Sequence, residues 1–215
     1  MDVVRRVRRA CGSSRSRKLK VGHAGTLDPL ATGVVVCCVG RATRCVEHLM
    51  GMPKVYEAQV DLSAFTATDD LEGDRQEVPI ERPPVEEDVR NAVRTFLGSI
   101  QQRPPAHSAV HVQGRRAYDL ARRGVQFEIP LKTVRIDAIE VLTYQWPRVD
   151  LRVTCGRGTY IRSLARDLGR ALGTGGHLSA LRRTAVGPYD LGIGVDAERL
   201  GEPITQKDLL PMPGE

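Results

Sequence analysis

Gly22-His23-Ala24-Gly25-Thr26-Leu27-Asp28-Pro29-Leu30-Ala31-Thr32-Gly33 runs directly into Val34-Val35-Val36-Cys37-Cys38-Val39, and this join decides how the chain is read. The second stretch is continuously apolar, rich in β-branched residues and bounded by Gly33 and Gly40, the pattern of a strand buried on both faces. The first is a glycine-bearing loop laid over the end of that strand. Pro29 biases Asp28 away from helical backbone, so the carboxylate stands on extended or turn backbone. An Asp-Pro pair by itself is an ordinary turn, but its setting here is unusual. Between Val3 and Val46 ten basic residues (Arg5, Arg6, Arg8, Arg9, Arg15, Arg17, Lys18, Lys20, Arg41, Arg44) accompany one carboxylate, Asp28. A lone carboxylate among cations is ionised at neutral pH, which suits a nucleophile or a base better than an acid.

Outward from this loop the elements alternate without a regular βαβ period. Tyr56, Ala58, Val60 and Leu62 interleave with Glu57, Gln59 and Asp61, a strand with one wet face. After Pro83-Pro84, acids at 86–88 open a helix whose stripe is Val85, Val89, Ala92, Val93, Phe96 and Leu97, closed by Gly98. A shorter helix is expected from Ala117 to Arg123. Val134, Ile136 and Ala138, then Leu151, Val153 and Cys155, read as a hairpin with Trp146-Pro147 in its loop. Past Gly156-Arg157-Gly158 a helix carries Ile161, Leu164, Ala165, Leu168, Ala171 and Leu172 on one face and stops at Gly173. The fold class is therefore α+β, a mixed α/β chain with a largely antiparallel central sheet flanked by helices. Residues 1–195 are expected to form one catalytic domain, with 69–125 as a peripheral loop and helical insertion and 196–215 as a loosely held tail.

Composition narrows the class further. Of 215 residues 41% are hydrophobic and 27% charged, enough for a core, and no run approaches the ~18 apolar residues of a membrane span. Thirty-two Lys and Arg against 26 Asp and Glu leave a net charge of +6, which favours a polyanionic partner. The charge is segregated: nine acids between Asp69 and Asp88 face only Arg75 and Arg82. Five cysteines without CxxC spacing indicate neither a disulfide framework nor a zinc site and fit a reducing cytoplasm. The first twenty residues are rich in Arg and Ser, as in a mitochondrial transit peptide, but Val3, Val4 and Val7 also form the stripe of a short basic helix.

Two motifs suit nucleic acid. His23 makes no HxxxH or HExxH spacing with His48, His107, His111 or His177, so metal ligation is not indicated. A flat polar ring on a glycine loop can stack on or wedge against a nucleobase, or be a hydrogen-bonded loop histidine. Gly156-Arg157-Gly158-Thr159-Tyr160-Ile161-Arg162 joins the hairpin to a helix N-terminus, where free N–H groups favour a phosphate, though it is neither a P-loop nor a dinucleotide GxGxxG. Arg162 is otherwise a solvated helix residue. With Arg166 one turn on, and Arg182-Arg183 beyond, it makes a cluster of the type that binds backbones.

GHAGTLDPLATG resembles the catalytic motif of the TruB family of tRNA pseudouridine synthases, GH.G.LDP.A.G. Five further blocks follow in the family's order. Lys54-Val55-Tyr56 is similar to its Lys-x-Tyr, and Thr66–Gly73 to its T-x-T-x-D-x-x-G loop. Ser108–Tyr118 is similar to its SA.K..G.R.Y, with His111 in place of lysine. GRGTYIRSLARDLG resembles C.KGTYIR...DDLG, and His177–Thr184 resembles H...LRR. The resemblance implies the pseudouridine synthase fold and isomerisation of one uridine in the T-loop of tRNA, with no metal or organic cofactor. It implies Asp28 as the nucleophile, Tyr56 against the uracil, and Arg162 pairing with Asp28 to hold it ionised and aimed. Leu181 would wall the pocket and His23 would fill the space left by the flipped nucleotide. Gly25, Asp70, Arg157, Tyr160 and Arg182 lie in the same blocks and are expected to contact or shape RNA.

The chain departs from the family in two places. Members carry, ahead of this region, a strand with Lys-Pro and a Gly-x-Ser/Thr-Ser turn, whereas here the chain opens with Met1-Asp2-Val3-Val4. Too few residues follow Leu191 for the small RNA-binding PUA domain of many relatives, so affinity is expected from the basic surface of the core. A monomer acting on the T-arm of tRNA, without membrane or obligate protein partner, is the expectation. The alternatives are a non-catalytic RNA-binding or tRNA-folding protein, which has no use for the Asp28, Tyr56 and Arg162 trio, and a metal-free nucleoside hydrolase, for which no water-activating base stands near Asp28.

Overall fold

The computed structural model describes residues 3–12, 19–108, 110–112, 115–117 and 127–212. In chain order they form α1 (Val3–Ala10), β1 (Val21–His23), β2 (Ala31–Gly33), β3 (Cys37–Val39), α2 (Val46–Gly51), β4 (Lys54–Asp61), β5 (Ala64–Thr66), β6 (Arg75–Glu77), α3 (Glu86–Arg94) and β7 (Gly98–Gln102). Then come β8 (His111–Val112), β9 (Arg115–Arg116), β10 (Lys132–Gln145), β11 (Arg148–Cys155), α4 (Ile161–Leu172), β12 (His177–Val186) and β13 (Tyr189–Asp190). No helix among the described residues is long and apolar enough to cross a membrane. The chain divides into two compact units, Met1–Pro53 with Arg183–Glu215, and Lys54–Arg182.

In the larger unit the sheet order is β12-β4-β11-β10-β7. The expected hairpin is β10–β11, antiparallel and turned at Trp146-Pro147, and β4 pairs antiparallel with β11. Alternation holds on β4, β11 and the start of β10, where Val60, Leu151, Val153, Val134 and Ile136 are buried. It breaks at Ala138, which is exposed rather than buried, because the ladder slips between Ile136 and Ala138. The extra residue of this bulge inverts the facing, so that Val141 and not Ala138 returns to the core.

The proline-led helix is α3, which opens with Glu86, Glu87 and Asp88. Only Val89 and Val93 of its stripe are buried, while Val85 and Leu97 are exposed. α3 packs on α4 and β10, and β7 is the outer strand of the sheet. Within the stretch 69–125, α3 and β7 supply a helix and the edge strand of this sheet. Only Ala117 of the helix expected over Ala117–Arg123 is described as helical, and the rest of it lies outside the described residues.

In the smaller unit the expected long strand over Val34–Val39 shrinks to Cys37–Val39, paired antiparallel with β1. Cys38 is its one buried residue, so it is not covered on both faces. Val34, Val35 and Val36 fall outside the strand, and Val34 gives its N–H to the carbonyl of Arg183 in β12. Ala24, Cys38 and Leu49 form the buried core here, with Val36, Ala42, Cys45, Val46 and Met52 against it. α1 forms where the basic helix was expected and buries Val7. The tail is tied down at its start: Arg6 donates to the carbonyl of Ala197 at 2.7 Å, and Ile204 N–H to that of Ala10 at 2.9 Å.

Candidate active site

The loop from Gly22 to Gly33 takes its shape from a side chain far along the chain. Arg183 is 1% exposed. Its Nε donates to the carbonyl of Val34 at 2.8 Å, Nη2 to Gly25 at 3.1 Å and Nη1 to Thr26 at 3.4 Å. A buried guanidinium needs acceptors, and three backbone carbonyls of one loop provide them. Gly33, with φ of 99°, lies so close to Arg183 that a Cβ would stand 2.2 Å from the Arg183 carbonyl oxygen. Gly25, with φ of 119°, similarly lets the backbone turn over the guanidinium.

On this scaffold sit three of the expected residues. His23 ends β1 opposite Cys37, half-buried, and its enclosed Nδ1 meets no hydrogen-bond partner among the described groups. Gly25 forms the turn. Asp28 is half-buried, and its carbonyl accepts from the Ala31 N–H at 2.9 Å in the turn after Pro29. Arg183 was expected beside Arg182 as a backbone binder. The structure corrects this: β12 alternates, so Arg182 is exposed and Arg183 is turned inward under the loop.

In the larger unit Tyr56 is half-buried on β4 opposite Val153, and Leu181 is buried on β12. Arg162 is not a solvated helix residue but 5% exposed. It donates to Asp70 Oδ2 at 3.0 Å, to the Thr68 carbonyl at 3.2 Å and to the His107 carbonyl at 3.1 Å. Asp70, in turn, accepts from the Thr68 hydroxyl and from the Glu72 N–H. Its carboxylate is 3% exposed and engaged from both sides, so its place is beneath Arg162 rather than against RNA.

Arg166 is likewise removed from the expected phosphate-binding cluster. It is buried, donating to Asp69 Oδ2 at 2.7 Å, to Asp167 Oδ1 at 2.9 Å and to the Arg103 carbonyl at 2.9 Å. The acid-rich stretch that starts at Asp69 therefore begins with two buried carboxylates. Burial pushes the Asp69 carboxyl up to about 6 against the opposing pull of Arg166.

The helix start expected to receive a phosphate is partly closed. Tyr160 gives its N–H to the Gln102 side chain at 2.8 Å, and its carbonyl accepts from that side chain at 3.1 Å, while its ring packs by Val110, Ala117 and Ile129. Arg157, in the turn before it, is exposed. Nothing in the sequence marks Gln102 for this. Asp69 and Arg166 are legible in sequence only as opposite charges in separate blocks.

No group of three or more His, Cys, Asp or Glu side chains among the described residues is arranged to hold a metal ion. Burial holds the thiols of Cys37 and Cys155 up at about 11, so neither supplies a thiolate at neutral pH. Asp28 is the one carboxylate of the glycine loop.

Comparison with known proteins shows the family. Residues 10–161 match the family model described as TruB family pseudouridylate synthase (N terminal domain), and 162–208 match the tRNA pseudouridylate synthase B C-terminal domain. A Bacteroides fragilis protein named tRNA pseudouridine synthase B is 46% identical over 199 residues, covering 93% of this chain and 85% of that protein. One of the same name from Thermobifida fusca is 50% identical over 200 residues, covering 87% and 65%. Among solved structures, a chain of a Cbf5-Nop10-Gar1 complex superposes with a TM-score of 0.64 at 33% identity. Another, in an H/ACA RNP bound to a substrate RNA containing 2'-deoxyuridine, gives 0.61 at 30% identity. Each match covers 88% of this chain, which spans about half of each solved chain, 46% and 44%. The expected mixed α/β synthase fold is the one observed, and on the strength of a family model covering most of its length the chain belongs to the TruB family of pseudouridylate synthases.

Proposed function

We propose that the protein isomerises a uridine in the T-loop of tRNA to pseudouridine, with Asp28 as nucleophile on a nucleotide flipped out of the loop. The observation that carries the reading is the Asp28 loop itself. A carboxylate stands half-exposed on a turn whose backbone is held by a buried arginine, in a stretch otherwise free of acid. The bond from N1 of the uracil to C1′ of the ribose must break, the uracil turn over, and carbon 5 bond to C1′, with carbon 5 losing its proton and N1 gaining one. A fixed, ionised carboxylate assists by adding covalently or by stabilising the charge that develops. In its family role Tyr56 stacks on the base and Leu181 walls the pocket, while His23 fills the place the nucleotide vacates. In its family role Arg162 is the cation paired with the reacting carboxylate. The name shared by the relatives of B. fragilis and T. fusca supports tRNA as the substrate.

The test is pseudouridine formation on an unmodified tRNA transcript, mapped by chemical labelling. Wild type should modify one T-loop uridine, and Asp28→Asn should form none while still binding the transcript. Activity surviving in Asp28→Asn removes Asp28 from the chemistry. Binding without activity in the wild type favours a non-catalytic RNA-binding role.

A further inference from the structure

Two ion pairs lie side by side where the Thr66–Gly73 turn meets α4. Asp69 and Asp70 are consecutive, Arg162 and Arg166 are one helical turn apart, and the pairs are Asp70–Arg162 at 3.0 Å and Asp69–Arg166 at 2.7 Å. Arg162 belongs to the proposed chemistry. Arg166 stands where the family pattern C.KGTYIR...DDLG has its first aspartate, so the second pair is a feature of this chain that the resemblance does not account for.

Its placement is specific. Asp69 has φ of 61°, uncommon for a residue with a side chain, and its carbonyl accepts from the Leu178 N–H at 2.9 Å. Arg166 reaches past it to the carbonyl of Arg103, which also accepts from Ser163 at 2.8 Å. The pair thus joins the turn, α4 and the segment after β7, and Arg162 is bonded to the same turn and, through His107, to the same segment. Removing one partner would leave the other charge buried and would shift the turn that presents Asp70.

We propose that Asp69 and Arg166 are positioning residues for Arg162: their ion pair fixes the turn that carries Asp70, and Asp70 fixes the Arg162 guanidinium, so that turnover requires Asp69 to be ionised. This rests on the reading of Arg162 as part of the active site. The charged groups facing Asp69 are Arg162, Arg166, Asp167 and Arg170, all on α4. Asp70 follows it on the turn, buried His177 precedes Leu178 on β12, and Arg103 lies on the segment after β7. Burial pushes the Asp69 carboxyl up to about 6.

The experiment has two arms. In steady-state assays on tRNA transcript, Arg166→Met and Asp69→Asn should lower kcat about tenfold at about pH 7.5 with KM unchanged, since a small misplacement of a reacting group acts on turnover and not on RNA affinity. Arg166→Lys should recover part of the loss. Wild-type kcat should fall below about pH 6 with a step that Asp69→Asn lacks. In the second arm, the Nε–Hε NMR signal of Arg162 should titrate with that step in the wild type and stay fixed in Asp69→Asn, which keeps the size of the side chain and tolerates a positive φ. Unchanged kcat in both variants, or an Arg162 signal indifferent to Asp69, overturns the proposal. A wild type that makes no pseudouridine refutes the functional reading instead, and the NMR arm still decides the pair.

Discussion

Arg183 on β12 donates from Nε to the carbonyl of Val34 at 2.8 Å, while its own carbonyl accepts the Val34 N–H at 2.8 Å. One residue thus clasps the far end of the Asp28 loop through both side chain and backbone, and reaches the near end at Gly25. Arg183→Met would keep the buried stem and remove the donors. Unsatisfied buried carbonyls cost roughly 1–3 kcal/mol each, so a loss of about 3 kcal/mol in urea denaturation is expected. The activity loss should exceed what the unfolded fraction explains, because the backbone on either side of Asp28 is no longer fixed. A fully active, equally stable Arg183→Met protein would show that the clasp is incidental.

The same clasp makes Gly33→Ala severe. The new methyl would meet the Arg183 carbonyl oxygen at 2.2 Å on a backbone with φ of 99°. Strain and displacement together should remove about 3 kcal/mol or more of stability. Gly51→Ala, where nothing lies within 4 Å, is the control and should stay within about 0.5 kcal/mol. Thermal melting of the two variants beside the wild type compares them directly.

The legible parts of this molecule are those written in local pattern. The hairpin at Trp146-Pro147, the wet-faced strand at Tyr56 and the helix ending before Gly173 each follow from periodicity and a turn residue. Val34–Val39 misleads because an apolar run does not record its partners. Val34 is claimed by Arg183, which lies 149 residues away, and the ladder begins only at Cys37. Ala138 misleads because a bulge is a property of two strands and not of one. The arginines look like surface cations because sequence gives charge but not burial. Arg162, Arg166 and Arg183 are buried because each meets carboxylates or carbonyls supplied from a distant segment. Asp28, His23 and Gly25 are legible together because one short loop holds all three.

Of the residues expected to contact RNA, Arg182 and Arg157 are exposed. Binding of tRNA transcript to the Asp28→Asn protein, measured from about 50 to 300 mM salt, should give a linear log–log dependence. Arg182→Ala and Arg157→Ala should each weaken binding without changing which uridine is selected, and should reduce the salt slope by about 0.7–0.9 for each phosphate no longer neutralised. A variant whose slope equals that of the parent makes no phosphate contact through that arginine.

Asp69 sets stability and turnover against each other. Its folded-state value, raised from 3.8 to about 6 by burial, means that between these limits the folded protein holds a proton the unfolded chain has lost. Stability from this group is therefore present at low pH and disappears as pH rises through about 6, opposite to the usual behaviour of an ion-paired carboxylate. The urea midpoint of the wild type minus that of Asp69→Asn should fall as pH is taken from about 4.5 to about 7.5, whereas wild-type kcat should rise over the same range. A midpoint difference that grows with pH would mean that Arg166 dominates over burial, and that the ionised pair stabilises the fold as well as serving Arg162.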